Sequence, residues 1–96
     1  MSAALTKEAI SEALLRLPGW KLAGESLEKT FVMHDFSEAL GFIVRIGVEA
    51  ERINHHPEIN NVWSRVTLRL STHDAGGKVT QRDVRLAEAI EKVAAK

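Results

Sequence analysis

Residues 54–71, NHHPEINNVWSRVTLRLS, contain both a helix stop and a strand with strict alternation. Pro57 disfavours the α region for the residue before it, so a helix arriving from the N-terminal side must end near Asn54 or His55, with His56 extended. The two imidazoles therefore point in different directions, and the backbone carries both away from the apolar stripe of that helix. Glu58 to Trp63 reads as a strand. Arg65 to Ser71 then alternates, with Val66, Leu68 and Leu70 on one face and Arg65, Thr67 and Arg69 on the other. One face is built to pack on helices, and the other meets water or another subunit.

Working outward, Asp35 caps the helix that ends at these histidines, with Glu38 at its third position. Phe36, Leu40, Ile43, Gly47, Ala50 and Asn54 trace one stripe along it at three- and four-residue steps. Upstream, Leu27 to Met33 and Trp20 to Ala23 form a hairpin about Gly24-Glu25-Ser26. Before that, Thr6 caps a first helix in which Ile10, Ala13, Leu14 and Leu17 repeat at helical spacing; Leu5 staples against Ile10, and Pro18-Gly19 ends it. Downstream, Asp74-Ala75-Gly76-Gly77 is a loop. Thr80 then opens a third helix with Asp83 at the capping-box position, Val79 facing Val84, and a core face of Val84, Ala87, Ile90 and Ala94. The order helix, two strands, helix, two strands, helix lacks the βαβ alternation of a parallel sheet. It predicts an α+β fold: a single-layer, mainly antiparallel four-stranded sheet with three helices packed on one face.

Length and composition narrow the function. Ninety-six residues make one small domain, 1–96, and a core this size gains from subunit association. Apolar residues at 45% and charged residues at 27% describe a globular chain rather than a disordered one. The net charge is zero and Lys and Arg are dispersed, so the basic footprint of a direct nucleic-acid binder is missing. With no cysteine, disulfides, thiol catalysis and thiolate zinc sites are excluded. Lys7, Glu8, Glu12 and Arg16 interrupt any apolar leader, and no run is long enough to span a bilayer. These features predict a cytoplasmic protein with no membrane partner.

Polar chemistry gathers between Glu51 and Asp83. Glu51 and His55, four residues apart, share a helix face. The pair is either a surface ion pair or a carboxylate that fixes the imidazole's tautomer. His73 closes the last strand where it can approach the helix end, although alone it reads as a polar loop residue. Trp63, at the end of a half-buried strand, is either core or the border of a site. Arg82 and Asp83 lie in the first turn of the third helix, where capping already gives Asp83 a sufficient role. His34, before the Asp35 cap, reads as surface.

Taken together, Glu51, three residues, His55-His56-Pro57, five residues, Trp63, nine residues, His73, nine residues and Asp83 resemble the signature of pterin-4a-carbinolamine dehydratases. The stretch Leu70-Ser71-Thr72-His73-Asp74 followed by Arg82-Asp83 extends the likeness. The resemblance implies dehydration of 4a-hydroxytetrahydrobiopterin to the quinonoid dihydropterin, within tetrahydrobiopterin recycling, with neither metal nor cofactor. That reaction needs one proton delivered to the leaving hydroxyl and one removed from N5. Histidine suits it because an unperturbed imidazole titrates at ~6.5. By the same resemblance His55 and His73 are the acid–base pair, His56 positions the substrate, and Glu51 orients His55. Pro57, Trp63, Thr72, Asp74, Ala75, Arg82 and Asp83 border the pterin, and the chain forms homodimers or homotetramers. Asn54 departs from the pattern, since animal members carry aspartate there; asparagine keeps hydrogen bonding but supplies no charge.

Two other readings compete. His55, His56, His73 and Glu51 could ligate a metal, but adjacent histidines that diverge rarely reach one ion. A non-catalytic role is the second, because animal relatives also act as dimerisation cofactors of a homeodomain factor and some bacterial relatives resemble assembly factors. The presence of His55, His56 and His73 favours the enzyme.

Overall fold

The computed structural model describes residues 3–95. Helix α1 (Lys7–Leu14) starts where Thr6 Oγ1 accepts the Ala9 N–H at 3.1 Å. It is shorter than the stripe predicts. After Leu14 the chain tightens into three-residue turns, with Leu15, Arg16 and Leu17 N–H groups bonding the carbonyls of Glu12, Ala13 and Leu14. Leu17 is nevertheless buried, so the apolar spacing outlasts the helix.

Strands β1 (Lys21–Ala23) and β2 (Ser26–Val32) form a hairpin closed by Gly24-Glu25, with Ala23 opposite Ser26. Gly24 has φ +63°, a conformation that glycine adopts without steric cost. Strands β3 (Glu58–Val62) and β4 (Arg65–Leu70) form the second hairpin, and the sheet runs β1-β2-β4-β3, antiparallel throughout. Leu27 and Phe31 of β2 and Val66, Leu68 and Leu70 of β4 face inward and are buried, while Arg65 and Arg69 stay outside. Helices α2 (Phe36–Arg52) and α3 (Gln81–Ala94) cover this inner face. The predicted α+β arrangement, one antiparallel four-stranded sheet with helices on one face, is the fold observed.

The core face of α2 differs from the predicted stripe. Its buried residues are Ala39, Phe42, Ile46 and Ala50, with Phe42 against Phe31 at a ring-centroid separation of 4.9 Å. Phe36, Leu40, Val44 and Val48 form a second, exposed apolar ridge at four-residue intervals. A helix that is apolar on two adjacent faces has no unique periodicity, and the larger side chains of the exposed ridge dominate the pattern. At the far end of the core, Glu91 Oε2 accepts from Trp20 Nε1 at 2.8 Å and from Lys29 Nζ at 2.7 Å, tying α3 to the first hairpin. Among the described residues no helix is long and apolar enough to cross a membrane.

Candidate active site

The end of α2 sets the direction of both adjacent histidines. Ile53 is the C-cap, and Asn54 follows with φ +53°, in the left-handed region. The Asn54 N–H bonds the Glu51 carbonyl at 3.2 Å and the His55 N–H bonds the Ala50 carbonyl at 3.0 Å. These two bonds form a Schellman closure, in which the left-handed position takes glycine or, as here, asparagine. The helix thus stops at Arg52, short of the predicted Asn54 or His55, and the chain reverses before Pro57. The reversal sends His55 inward, leaving it 7% exposed, and His56 outward.

This geometry corrects the pairing expected from spacing. His55 is off the helix, so it does not share a face with Glu51. Glu51 Oε1 instead lies 2.8 Å from His56 Nε2, with both side chains exposed, whereas His55 Nε2 lies 2.6 Å from Asp83 Oδ1 in the interior. The expectation that His55 is directed away from the core is likewise overturned.

Asp83 is held from three sides. The Thr80 N–H donates to Oδ2 at 2.8 Å, completing the capping box of α3, and Thr72 Oγ1 donates to the same oxygen at 2.8 Å. Thr72 has only one hydroxyl proton, so in its 2.6 Å contact with Thr80 it accepts. The hydroxyl of Thr80 in turn accepts from the Arg82 N–H at 3.2 Å. A chain of donors, Thr80 to Thr72 to Asp83, therefore ends on the carboxylate that meets His55. An ionised carboxylate only accepts, so His55 donates to it from Nε2, and in the neutral imidazole Nδ1 is then the acceptor. Thr72 and Asp83, expected to border substrate, have their side chains committed to this buried network.

The loop after β4 brings the third histidine. His73 begins a single 3₁₀ turn, His73–Ala75. The loop folds back through Gly77 N–H to the Thr72 carbonyl at 3.0 Å and Thr72 N–H to the Lys78 carbonyl at 2.8 Å. Gly76 and Gly77 both have positive φ, which this reversal requires. Arg82 crosses from α3 and donates from Nη2 to the Asn54 carbonyl at 3.0 Å.

The result is an open cleft of about 420 Å³ lined by Asn54, His55, His56, Ser71, Thr72, His73, Asp74 and Arg82. Three of the four histidines converge there. Glu51, Pro57, Ala75 and Asp83 are not among its lining residues, although Glu51 and Asp83 each touch a histidine that is. Trp63 is neither core nor cleft: it is 81% exposed, with φ +53°, at the tip of the β3–β4 turn. Asn61 Nδ2 fixes that turn by donating to the Trp63 and Arg65 carbonyls. The tip and His73 lie beyond opposite ends of β4, whose six residues alone span roughly 20 Å at ~3.4 Å per residue. Ser71 is a lining residue that sequence reading missed, and only its place beside Thr72-His73 hinted at it. Among the described residues, no three His, Asp or Glu side chains are grouped to hold a metal ion.

Fold and site together define a class, small α+β domains in which a capped helix end and a loop present histidines to a pocket. The profile of the pterin 4 alpha carbinolamine dehydratase family matches residues 3–93. A relative from Opitutus terrae, named "Putative pterin-4-alpha-carbinolamine dehydratase", is 52% identical over 93 residues, covering 97% of this chain and 96% of its own. One of the same name from Nitrobacter winogradskyi is 52% identical over 89 residues, covering 91% and 87%. The crystal structure of a transcriptional coactivator/pterin dehydratase from Brucella melitensis superposes with a TM-score of 0.89 at 35% identity, covering 95% of this chain and 98% of that one. The chain belongs to the pterin 4 alpha carbinolamine dehydratase family.

Proposed function

We propose that this protein, as one domain over residues 1–96, dehydrates 4a-hydroxytetrahydropterins by histidine acid–base catalysis. The observation that carries the reading is the convergence of His55, His56 and His73 on one cleft, with His55 held by a buried carboxylate. The cleft's volume lies within the roughly 300–1,000 Å³ usual for whole small-molecule ligands. In the proposed reaction His55 Nδ1 takes the proton from N5 of the pterin, and the N5 electron pair forms the C4a=N5 double bond. The C4a–O bond breaks as His73 donates a proton to the departing hydroxyl, which leaves as water. The Nε2–H bond from His55 to Asp83 supports the base role, because it leaves Nδ1 as the acceptor and stabilises the imidazolium that forms. His56, steadied by Glu51, positions the substrate, with Asp74 and Arg82 bordering it. The proposed setting is tetrahydrobiopterin recycling in the cytoplasm, by a homodimer or homotetramer.

The test is stopped-flow decay of enzymatically generated 4a-hydroxytetrahydrobiopterin with wild type, with His73→Ala and with buffer alone. Acceleration by wild type that is largely lost in His73→Ala supports the assignment; wild type no faster than buffer sinks it. A second reading, as a binding module, draws on the exposed ridge Phe36, Leu40, Val44 and Val48 and on the coactivator half of the Brucella melitensis protein's description. The same ridge would serve self-association.

A further inference from the structure

We propose that the cavity lined in part by His55 is a phosphate subsite, which lets the site also take pterins whose side chain ends in a phosphomonoester; this rests on the dehydratase reading above. The cavity, of about 280 Å³, is lined by Arg52, Ile53, His55, Arg82 and Arg85. Three arginines and a histidine are among its five lining residues, and no carboxylate is. Arg52 meets Glu49 only at 3.6 Å on the exposed helix surface, and Arg82 meets Asp74 at 3.9 Å. Among the described residues Arg85 has no carboxylate within ion-pair distance. Arg85 is thus the cation of the three left without a counter-charge, and neighbouring cations reinforce one another in holding an anion. Guanidinium forks match oxyanions bidentately. A carboxylate offers two oxygens, whereas a phosphomonoester offers three terminal oxygens and up to two charges, which suits three arginines better.

The link to the pterin is geometric. His55 and Arg82 line both the cleft and this cavity, so the two are neighbours across that pair. In a pterin the side chain is borne by C6, which is bonded to N5. If His55 serves N5, the side chain leaves the ring beside His55, one of the two residues that the cleft and the cavity share. At about 280 Å³ the space falls just short of the roughly 300 Å³ at which whole-ligand pockets begin, and so suits one group of a ligand.

The experiment is calorimetric titration at low salt of the full chain with dihydroneopterin monophosphate, with dihydroneopterin, and with inorganic phosphate. Wild type is compared with the double variant Arg52→Gln/Arg85→Gln, two exposed positions outside the catalytic cleft. The phosphorylated pterin is expected to bind wild type roughly tenfold tighter than the plain pterin, the scale of one charge-assisted hydrogen bond. That advantage should vanish in the double variant, while dehydration of unphosphorylated 4a-hydroxytetrahydropterin stays at the wild-type rate. Equal affinity for the two pterins in wild type overturns the inference, whatever the turnover. So does inorganic phosphate binding that depends on the arginines without any advantage for the pterin phosphate, since the cavity would then be a free-anion site. An arginine-dependent pterin-phosphate preference without acceleration of dehydration would retain the subsite and remove the catalytic reading instead.

Discussion

Asp83 Oδ1 lies 2.6 Å from Nε2 of His55, and the same carboxylate closes the capping box of α3. One side chain thus fixes both the start of a helix and the orientation of an imidazole, so stability and activity are coupled at this position. In Asp83→Asn, the amide keeps the volume but turns an NH₂ toward groups that are themselves donors. Leaving a buried donor unsatisfied costs about 1–3 kcal/mol. Loss of the oriented base should lower kcat by roughly 10²-fold, the lower end for a positioned acid or base. Urea melts and stopped-flow rates on the same preparation check both; a fully active, destabilised variant would reduce Asp83 to a cap.

Thr72→Val separates positioning from contact. The substitution removes the donor to Asp83 Oδ2 and the acceptor for Thr80, without touching His55 itself. A loss of about 1–3 kcal/mol in stability is expected for the unsatisfied partners. If Thr72 acts through Asp83, kcat falls while KM for the pterin holds. If its hydroxyl contacts substrate, KM rises instead.

Glu51→Gln should matter less. Both Glu51 and His56 are exposed, and exposed pairs are typically worth ~0.2–1 kcal/mol. Its melting midpoint should stay near wild type, and its kcat should fall by less than that of Asp83→Asn. Reversed severities for the two carboxylates would restore Glu51 as the partner of His55 in solution.

The local elements were open to sequence reading because each is specified by neighbouring residues: Thr6, Asp35 and Thr80 as caps, Gly24 in the first turn, and the Val66-Leu68-Leu70 alternation. The His55–Asp83 pair was not, for a physical reason. A separation of four residues argues for Glu51 only while the helix continues, and whether it continues is decided at Asn54 by one left-handed residue. The true partner lies 28 residues away, and its role at the start of α3 already explained an acid there. Trp63 misled similarly, since an aromatic after a strand reads as core unless the turn that ejects it is visible. The phase of α2 was lost because Ala39 and Ala50, small but central, count for less in a pattern than exposed Phe36 and Leu40.

Asn54 gives a prediction about that switch. Its side chain is exposed and its carbonyl accepts from Arg82, so the position is defined by backbone conformation more than by side-chain chemistry. Asn54→Asp should therefore leave stability within about 0.5 kcal/mol, as for ordinary surface changes. Asn54→Gly should be tolerated as well, since glycine is the usual residue at a left-handed C′ position. Asn54→Val should cost at least the ~1–2 kcal/mol of placing a side chain in that region, and should lower activity by shifting His55. A valine variant with wild-type melting and rate would show that the reversal does not set the histidine.

The ridge Phe36, Leu40, Val44 and Val48 yields the last prediction. All four side chains are exposed and spaced by four residues, so they form one continuous strip along α2, away from its buried face. Apolar strips of this kind on a small domain gain from being covered, at about 25 cal/mol per Å² of apolar surface removed from water. Val44→Glu puts a charge in the middle of the strip without entering the core. The variant should elute as a smaller species than wild type in size exclusion with light scattering, with its circular dichroism spectrum unchanged. Because the histidine cleft is assembled within one chain, dehydratase activity should survive the change. Loss of activity alongside dissociation would mean that association supports the cleft from outside, and wild type eluting as a monomer would remove the ridge as a self-association surface.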